Sequence, residues 1–221
     1  MALEKIHLRK LLKILFLDPN RTRSAIRTDI REDIAREAGG NSSGGDFYAP
    51  FWADAKNHVF GVSDLHESVS QRIDSNYRRR DLYPKLRDGF LLWWNERRRW
   101  INEPMRPGQS AKAQFEFPRI AATVKVDNIL SVRDGLNAER YVYPYFAPEP
   151  VLSENAARLG LWLLSSALPE VPAESLRILD VIRGQTFSLD RTPFQGGEEE
   201  DLRLRYVELL RQRDALREEY E

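Results

Sequence analysis

The chain contains no cysteine. Disulfides, thiolate metal sites and cysteine nucleophiles are therefore all excluded, and the composition fits a reducing compartment. Histidine is almost as scarce, with three residues, His7, His58 and His66, too scattered to suggest a metal site. No apolar run approaches the roughly 18 residues that span a bilayer. The first segment is not a secretory leader either, because Glu4, Lys5, His7, Arg9, Lys10 and Lys13 interrupt its apolar residues. The dinucleotide fingerprint and the lysine-bearing phosphate loop are also missing. The expectation is a soluble cytoplasmic protein with no membrane contact, no cofactor and no metal.

Enough apolar material is present to build a core. Hydrophobic residues make up 42% of 221 positions, with 5 Trp, 10 Phe and 8 Tyr, while 31% charged residues solvate the exterior. The net charge of zero hides an uneven distribution. Residues 1–112 carry 21 basic against 15 acidic side chains, and residues 113–221 carry 13 against 19. A basic half points to a polyanion. It serves equally for attraction between the two halves, or to a partner.

Leu3 to Phe16 has apolar residues at helical spacing, and Asp18-Pro19-Asn20 stops it. Thr22 to Glu37 reads as a second helix with Ala25, Ile26, Ile30, Ile34 and Ala35 on its buried stripe, ending at Gly39-Gly40. Residues 1–38 thus form an N-terminal helical hairpin. The Gly/Ser stretch 39–45 reads as a flexible linker. Residues 46–112 read as a helical portion. Asp64 is placed to cap a helix, with Glu67 as its capping-box partner. A further helix from Leu82 or Tyr83 is marked by Leu86, Phe90, Trp93, Trp94 and Trp100.

The period changes near residue 113. Phe115 and Phe117, then Ile120, Ala122, Val124 and Val126, follow a strand pattern. Asp134-Gly135 marks a turn. Arg140 to Phe146 alternates, with Tyr141, Tyr143 and Tyr145 on one face. Ser153 caps a helix to about Ala167 whose apolar residues, Trp162 among them, nearly encircle it. Ser175 to Val181 is strand-like. Glu198 to Glu221 closes the chain as a helix, with four acids at its positive dipole end. The predicted class is α+β: a helical N-terminal portion packed on residues 113–221, an α/β portion with a small mixed sheet in β-β-α-β-α order.

That order resembles the core of the PD-(D/E)XK nuclease superfamily, in its RecB-like branch. The family places a metal-binding Asp on an apolar strand, then a hairpin to a strand carrying (D/E)-x-K, an apolar helix and another strand. Val124-Lys125-Val126-Asp127 stands where the Asp strand would, Arg140 to Phe146 where the (D/E)-x-K strand would, and Glu154 to Ala167 resembles the helix. The resemblance is topological and covers residues 113–221. Tyr141 to Tyr145 offers neither acid nor lysine, Glu139-Arg140-Tyr141 is not E-x-K, and the helix lacks Gln-x-x-x-Tyr. What the resemblance implies is a nuclease-like fold with a degenerate motif, leaving Asp127 and Glu139 as the catalytic candidates.

The binding candidates come from the residues alone. Tyr77 to Trp100 holds Arg78, Arg79, Arg80, Lys85, Arg87, Arg97, Arg98 and Arg99 against Asp81, Asp88 and Glu96. Arginine offers a fork of donors to phosphate, and aromatic rings stack on bases. The same run also reads as a solvated face. The expected function is a non-catalytic, nucleic-acid-associated accessory protein acting through Arg78, Arg79, Arg80, Arg97, Arg98 and Arg99. The alternatives are a protein-interaction adaptor or homo-oligomer working through the terminal helices, and a metal-dependent nuclease with a rearranged site at Asp127 and Glu139.

Overall fold

A computed structural model describes residues 3–39 and 47–220. The fold is α+β, with helices packed on both faces of a mixed sheet and a second, smaller sheet beside it. The linker assigned to 39–45 lies, apart from Gly39, outside the described residues.

The chain opens with strand β1 (Lys5–His7) and helix α1 (Leu8–Leu15). The continuous helix expected from Leu3 to Phe16 is thus replaced by a strand in its first turn. Strand β4 (Thr123–Val126) is the cause: it takes β1 as a parallel neighbour, and Thr123 N–H donates to the Glu4 carbonyl at 2.7 Å. Ile6 and Leu8 are buried while Lys5 and His7 point outward, so the same residues satisfy a period of two. Helix α2 (Pro19–Glu37) starts on Asp18, whose carboxylate accepts from the N–H groups of Asn20 and Arg21 at 3.1 Å. Pro19 occupies the first turn, where its missing N–H costs nothing. Asp29 and Asp33 share the buried face of α2 with Ile26 and Ile30, whereas Ile34, expected inside, is 36% exposed.

Helices α3 (Ala49–Val59), α4 (Leu65–Ser75) and α5 (Tyr83–Leu92) follow. Asp64 caps α4 through the Glu67 N–H at 3.0 Å. A five-residue π-helical turn, Trp93–Arg97, ends α5. The remaining elements are β2 (Arg106–Pro107), β3 (Ala113–Glu116), β4, β5 (Leu130–Arg133), β6 (Glu139–Tyr145), α6 (Glu154–Ala167), β7 (Leu176–Asp180), β8 (Gln185–Phe187) and α7 (Glu198–Arg217).

These strands form two sheets where one was expected. The smaller has the order β1-β4-β3 and the larger β2-β5-β6-β7-β8. Each draws one strand from before residue 113, so residues on both sides of that point share both sheets. In the larger sheet β6 is central, antiparallel to β5 and parallel to β7, with α6 making the crossover. Its pleat divides the core. Tyr141, Tyr143 and Tyr145 face α1, α6 and α7, while Val142 and Phe146 face α3, α4 and α5. Trp162 is half-buried rather than enclosed, meeting Phe115 edge-on at 5.6 Å.

A buried ion network ties α2 and α7 to the N-terminus. The Arg213 side chain is 5% exposed and reaches Asp33 at 2.7 Å and Glu4 at 2.5 Å, with Asp29 at 3.8 Å. Asp29 also accepts from the Leu3 N–H and from Lys10. Among the described residues no helix is long and apolar enough to cross a membrane.

Candidate anion-binding site

The arginines at the end of α5 owe their position to two glycines. A Cβ at Gly89 would lie 2.2 Å from the carbonyl oxygens of Val181 and Ile182, so α5 packs backbone to backbone on the β7–β8 turn. Gly184, in that turn, takes φ +56°, and a Cβ there would lie 2.5 Å from the Gly89 carbonyl. The π turn grows from this contact. The Arg98 N–H donates to the Trp93 carbonyl at 2.8 Å, which closes the wide turn and ends the helix. Arg97 then reaches across to the carbonyls of Arg183 and Gly184, at 2.8 and 3.3 Å.

A recess of about 60 Å³ lies at this junction. Arg97, Arg98 and Arg99 line it from the π turn, and Arg177 of β7 and Arg191 line it from beyond the β7–β8 hairpin. Trp93, Trp100 and Thr186 line it too, and Asp190, the one carboxylate among its lining residues, accepts from the Ser188 hydroxyl. A second cavity of about 480 Å³ shares Arg97, Thr186 and Arg191 and continues along the β8 edge past Gln185 and Phe187.

Basic side chains outnumber the one carboxylate of the recess. None of its five arginines takes part in an ion pair among the described residues, although other arginines of the chain, such as Arg72, Arg183 and Arg213, do. Arg98 lies 3.7 Å from the centre of the Trp94 ring and 5.0 Å from that of Trp100. Its Nε and Nη1 are buried without a hydrogen-bond partner. Burial pulls the Arg98 guanidinium below its ordinary range, against the opposing charge of Glu103. Arg177 moves the same way: burial is the main cause, Asp190 opposes it, and Arg140 and Arg191 add repulsion. A guanidinium does not lose its proton in proteins, so both side chains stay cationic.

Arg78, Arg79 and Arg80 sit elsewhere, in the turn between α4 and α5. Arg79 donates to the Arg72 carbonyl at 3.2 Å and lies 5.3 Å from the Tyr83 ring centre. Arg80 covers the Tyr77 ring at 4.0 Å and faces Asp81 at 3.5 Å. Arg78 is exposed. Neither cavity beside β8 includes them.

Asp127 and Glu139 are not brought together. The strand that leads to Asp127, β4, belongs to the smaller sheet. The register Leu130 opposite Val142 and Arg133 opposite Glu139 puts Glu139 at the far end of the β5–β6 hairpin from Asp127. Glu139 is held by Arg133 at 3.0 Å and by the Tyr141 hydroxyl. Those two hydrogen bonds keep its carboxyl below the usual range, while burial and Glu139 push Tyr141 up to about 12. Asp127 accepts from His7 Nδ1 at 3.0 Å and Asn128 Nδ2 at 3.2 Å, with Arg9 at 3.5 Å. Burial opposes ionisation of Asp127, but His7, Arg9 and Asn128 together outweigh it and hold the carboxyl low. Lys56 lies in the same neighbourhood, pulled down by burial against the Asp127 charge. Among the described residues no group of three histidines or carboxylates is disposed to hold a metal ion.

Sequence reasoning found Arg97, Arg98 and Arg99 but missed Arg177, Arg191 and Thr186. No spacing links them to the π turn, and only the glycine-mediated docking of α5 does. No family model matches the chain, and no curated protein or solved structure matches it.

Proposed function

We propose that the chain is a non-catalytic accessory protein that binds a nucleic-acid strand by its phosphates in the recess beside β8. One observation carries this reading: five arginines from two distant segments converge on one small recess without an ion pair among them. Phosphate oxygens accept from guanidinium forks, and the rings of Trp93 and Trp100 beside the forks suit a base-bearing polyanion. The absence of catalysis is supported by the wide separation of Asp127 and Glu139 and by β6, which carries tyrosines where the nuclease-like order calls for an acid and a lysine. Of the nuclease-like order, α6 and the parallel return in β7 are present, whereas the strand matched to the family's Asp strand, β4, stands in the other sheet.

The test is a salt titration of binding to a labelled single strand. Log affinity should fall linearly with log salt, by about 0.7 per neutralised phosphate for a single strand. Replacing Arg97, Arg98 and Arg99 by Ala should weaken binding about equally across sequences and flatten the slope. A wild type that binds no strand at low salt contradicts the reading, and so does a triple variant that binds as well as wild type.

A further inference from the structure

The two cavities beside β8 differ in size in a way that specifies the ligand. The smaller, about 60 Å³, is lined by the five arginines, and the larger, about 480 Å³, shares Arg97, Thr186 and Arg191 with it around the edge of β8. One water needs roughly 10–15 Å³ of such space, so the smaller cavity takes a few waters or one tetrahedral oxyanion, and not a sugar with its base. The larger falls in the range of about 300–1,000 Å³ that accommodates small organic ligands. Its wall offers the Gln185 amide, the Thr192 hydroxyl and the Glu154 carboxylate, groups that match sugar hydroxyls and base edges.

A phosphate inside a strand carries a nucleoside on each side, whereas a terminal phosphate carries one, and one cavity of nucleoside size shares lining residues with the smaller. Charge favours the same answer. A phosphodiester carries one charge and two free oxygens, whereas a phosphomonoester carries about −1.5 to −2 at neutral pH and three strong acceptor oxygens. Five arginines against the single carboxylate of Asp190 match the second better.

We propose that the smaller cavity receives a terminal phosphomonoester and the larger one the nucleoside attached to it. This inference rests on the nucleic-acid reading above and narrows it from a strand to a strand end. The chemistry recognised is that of a nucleoside phosphomonoester, which a phosphorylated strand end and a free nucleotide share.

The experiment compares labelled single strands of one sequence carrying a 5′-phosphate, a 3′-phosphate or hydroxyls at both ends. Direct calorimetry with adenosine 5′-monophosphate and with inorganic phosphate runs beside it. One of the phosphorylated strands should bind about tenfold or more tighter than the hydroxyl-ended strand, as one or two charge-assisted hydrogen bonds allow. Arg177→Gln with Arg191→Gln should erase that difference, and Arg191→Lys should keep part of it; circular dichroism confirms that each variant is folded. Strands that bind tightly but indifferently to their ends overturn the end-recognition proposal and leave the accessory-protein reading intact. Adenosine monophosphate that binds when no strand does supports the pocket assignment, identifies a free nucleotide as its source and overturns the strand reading. Binding of neither strand nor nucleotide overturns both.

Discussion

Gly89→Ala should destabilise this protein, although the same change in an open helix stabilises. Alanine has a helix propensity better than glycine by about 1 kcal/mol. Here the added Cβ would sit 2.2 Å from two carbonyl oxygens, those of Val181 and Ile182. Real Cβ atoms essentially never approach neighbours within 3.0 Å. The obstacle is backbone on both sides, so no side chain can swing away. Overpacking a tight contact costs about 1–3 kcal/mol, and this contact belongs at the upper end. Subtracting the propensity gain leaves a net loss of about 2 kcal/mol. At about 2–4 °C per kcal/mol for a chain of this size, Tm should fall by roughly 4–8 °C. Thermal and urea denaturation, followed by circular dichroism, measure this. Oligonucleotide binding should weaken in the same variant, because the contact carries the π turn to the β7–β8 hairpin. A variant as stable as wild type, or more stable, would refute the backbone-to-backbone docking that frames the site.

Three other outcomes follow from the geometry. Arg213→Leu should cost about 1–3 kcal/mol in urea denaturation, since Asp29 and Asp33 lose their shared cation and keep only Lys10 and Arg36; adding Asp33→Asn should recover part of that loss, and a single variant within error of wild type would contradict the network. Asp127 has a folded-state pKa held below its ordinary value, so its stabilisation is present above that ordinary value and disappears as pH falls through the lowered one. The stability gap between wild type and Asp127→Asn, below about 1 kcal/mol for this half-exposed pair, should therefore close as pH falls below the ordinary value of 3.8 and through the lowered one, and a gap that persists undiminished at the acid limit would refute the pairing. Incubation with Mg²⁺ or Mn²⁺ should leave DNA and RNA intact, and cleavage that vanishes in Asp127→Ala would overturn the non-catalytic reading.

Most elements after residue 113 were legible because local signals agree there, although β5 (Leu130–Arg133), too short to show a pattern, was not expected. Ser153 caps α6 through the Ala156 N–H, and the alternation of Tyr141, Tyr143 and Tyr145 does put all three on one face of β6. Residues 3–7 were misread because Ile6 and Leu8 satisfy two periods at once, and a partner strand more than a hundred residues away decides between them. The same distant pairing explains why Asp127 and Glu139 could not be sorted: sequence shows that Val124 to Val126 is a strand but not which sheet it joins. The α+β class survives these errors, because it depends on element types rather than on neighbours. The site was half legible. Arg97 to Arg99 stand out as a run, but Arg177 sits in an ordinary strand and Arg191 in a loop. What unites them is a close approach of two glycines, which leaves no pattern in the chain.

The central claim is that these two groups of arginines form one phosphate site. The most direct test is the affinity of a labelled phosphorylated single strand at low salt for wild type and for the folded Arg177→Gln, Arg191→Gln variant. A shared site predicts a loss of at least tenfold, comparable to that caused by altering Arg97 to Arg99, because each lost charge-assisted contact is worth about 1.5–3 kcal/mol. Unchanged affinity in the double variant, with binding still dependent on Arg97 to Arg99, would contradict it and reduce the site to a surface patch on the π turn.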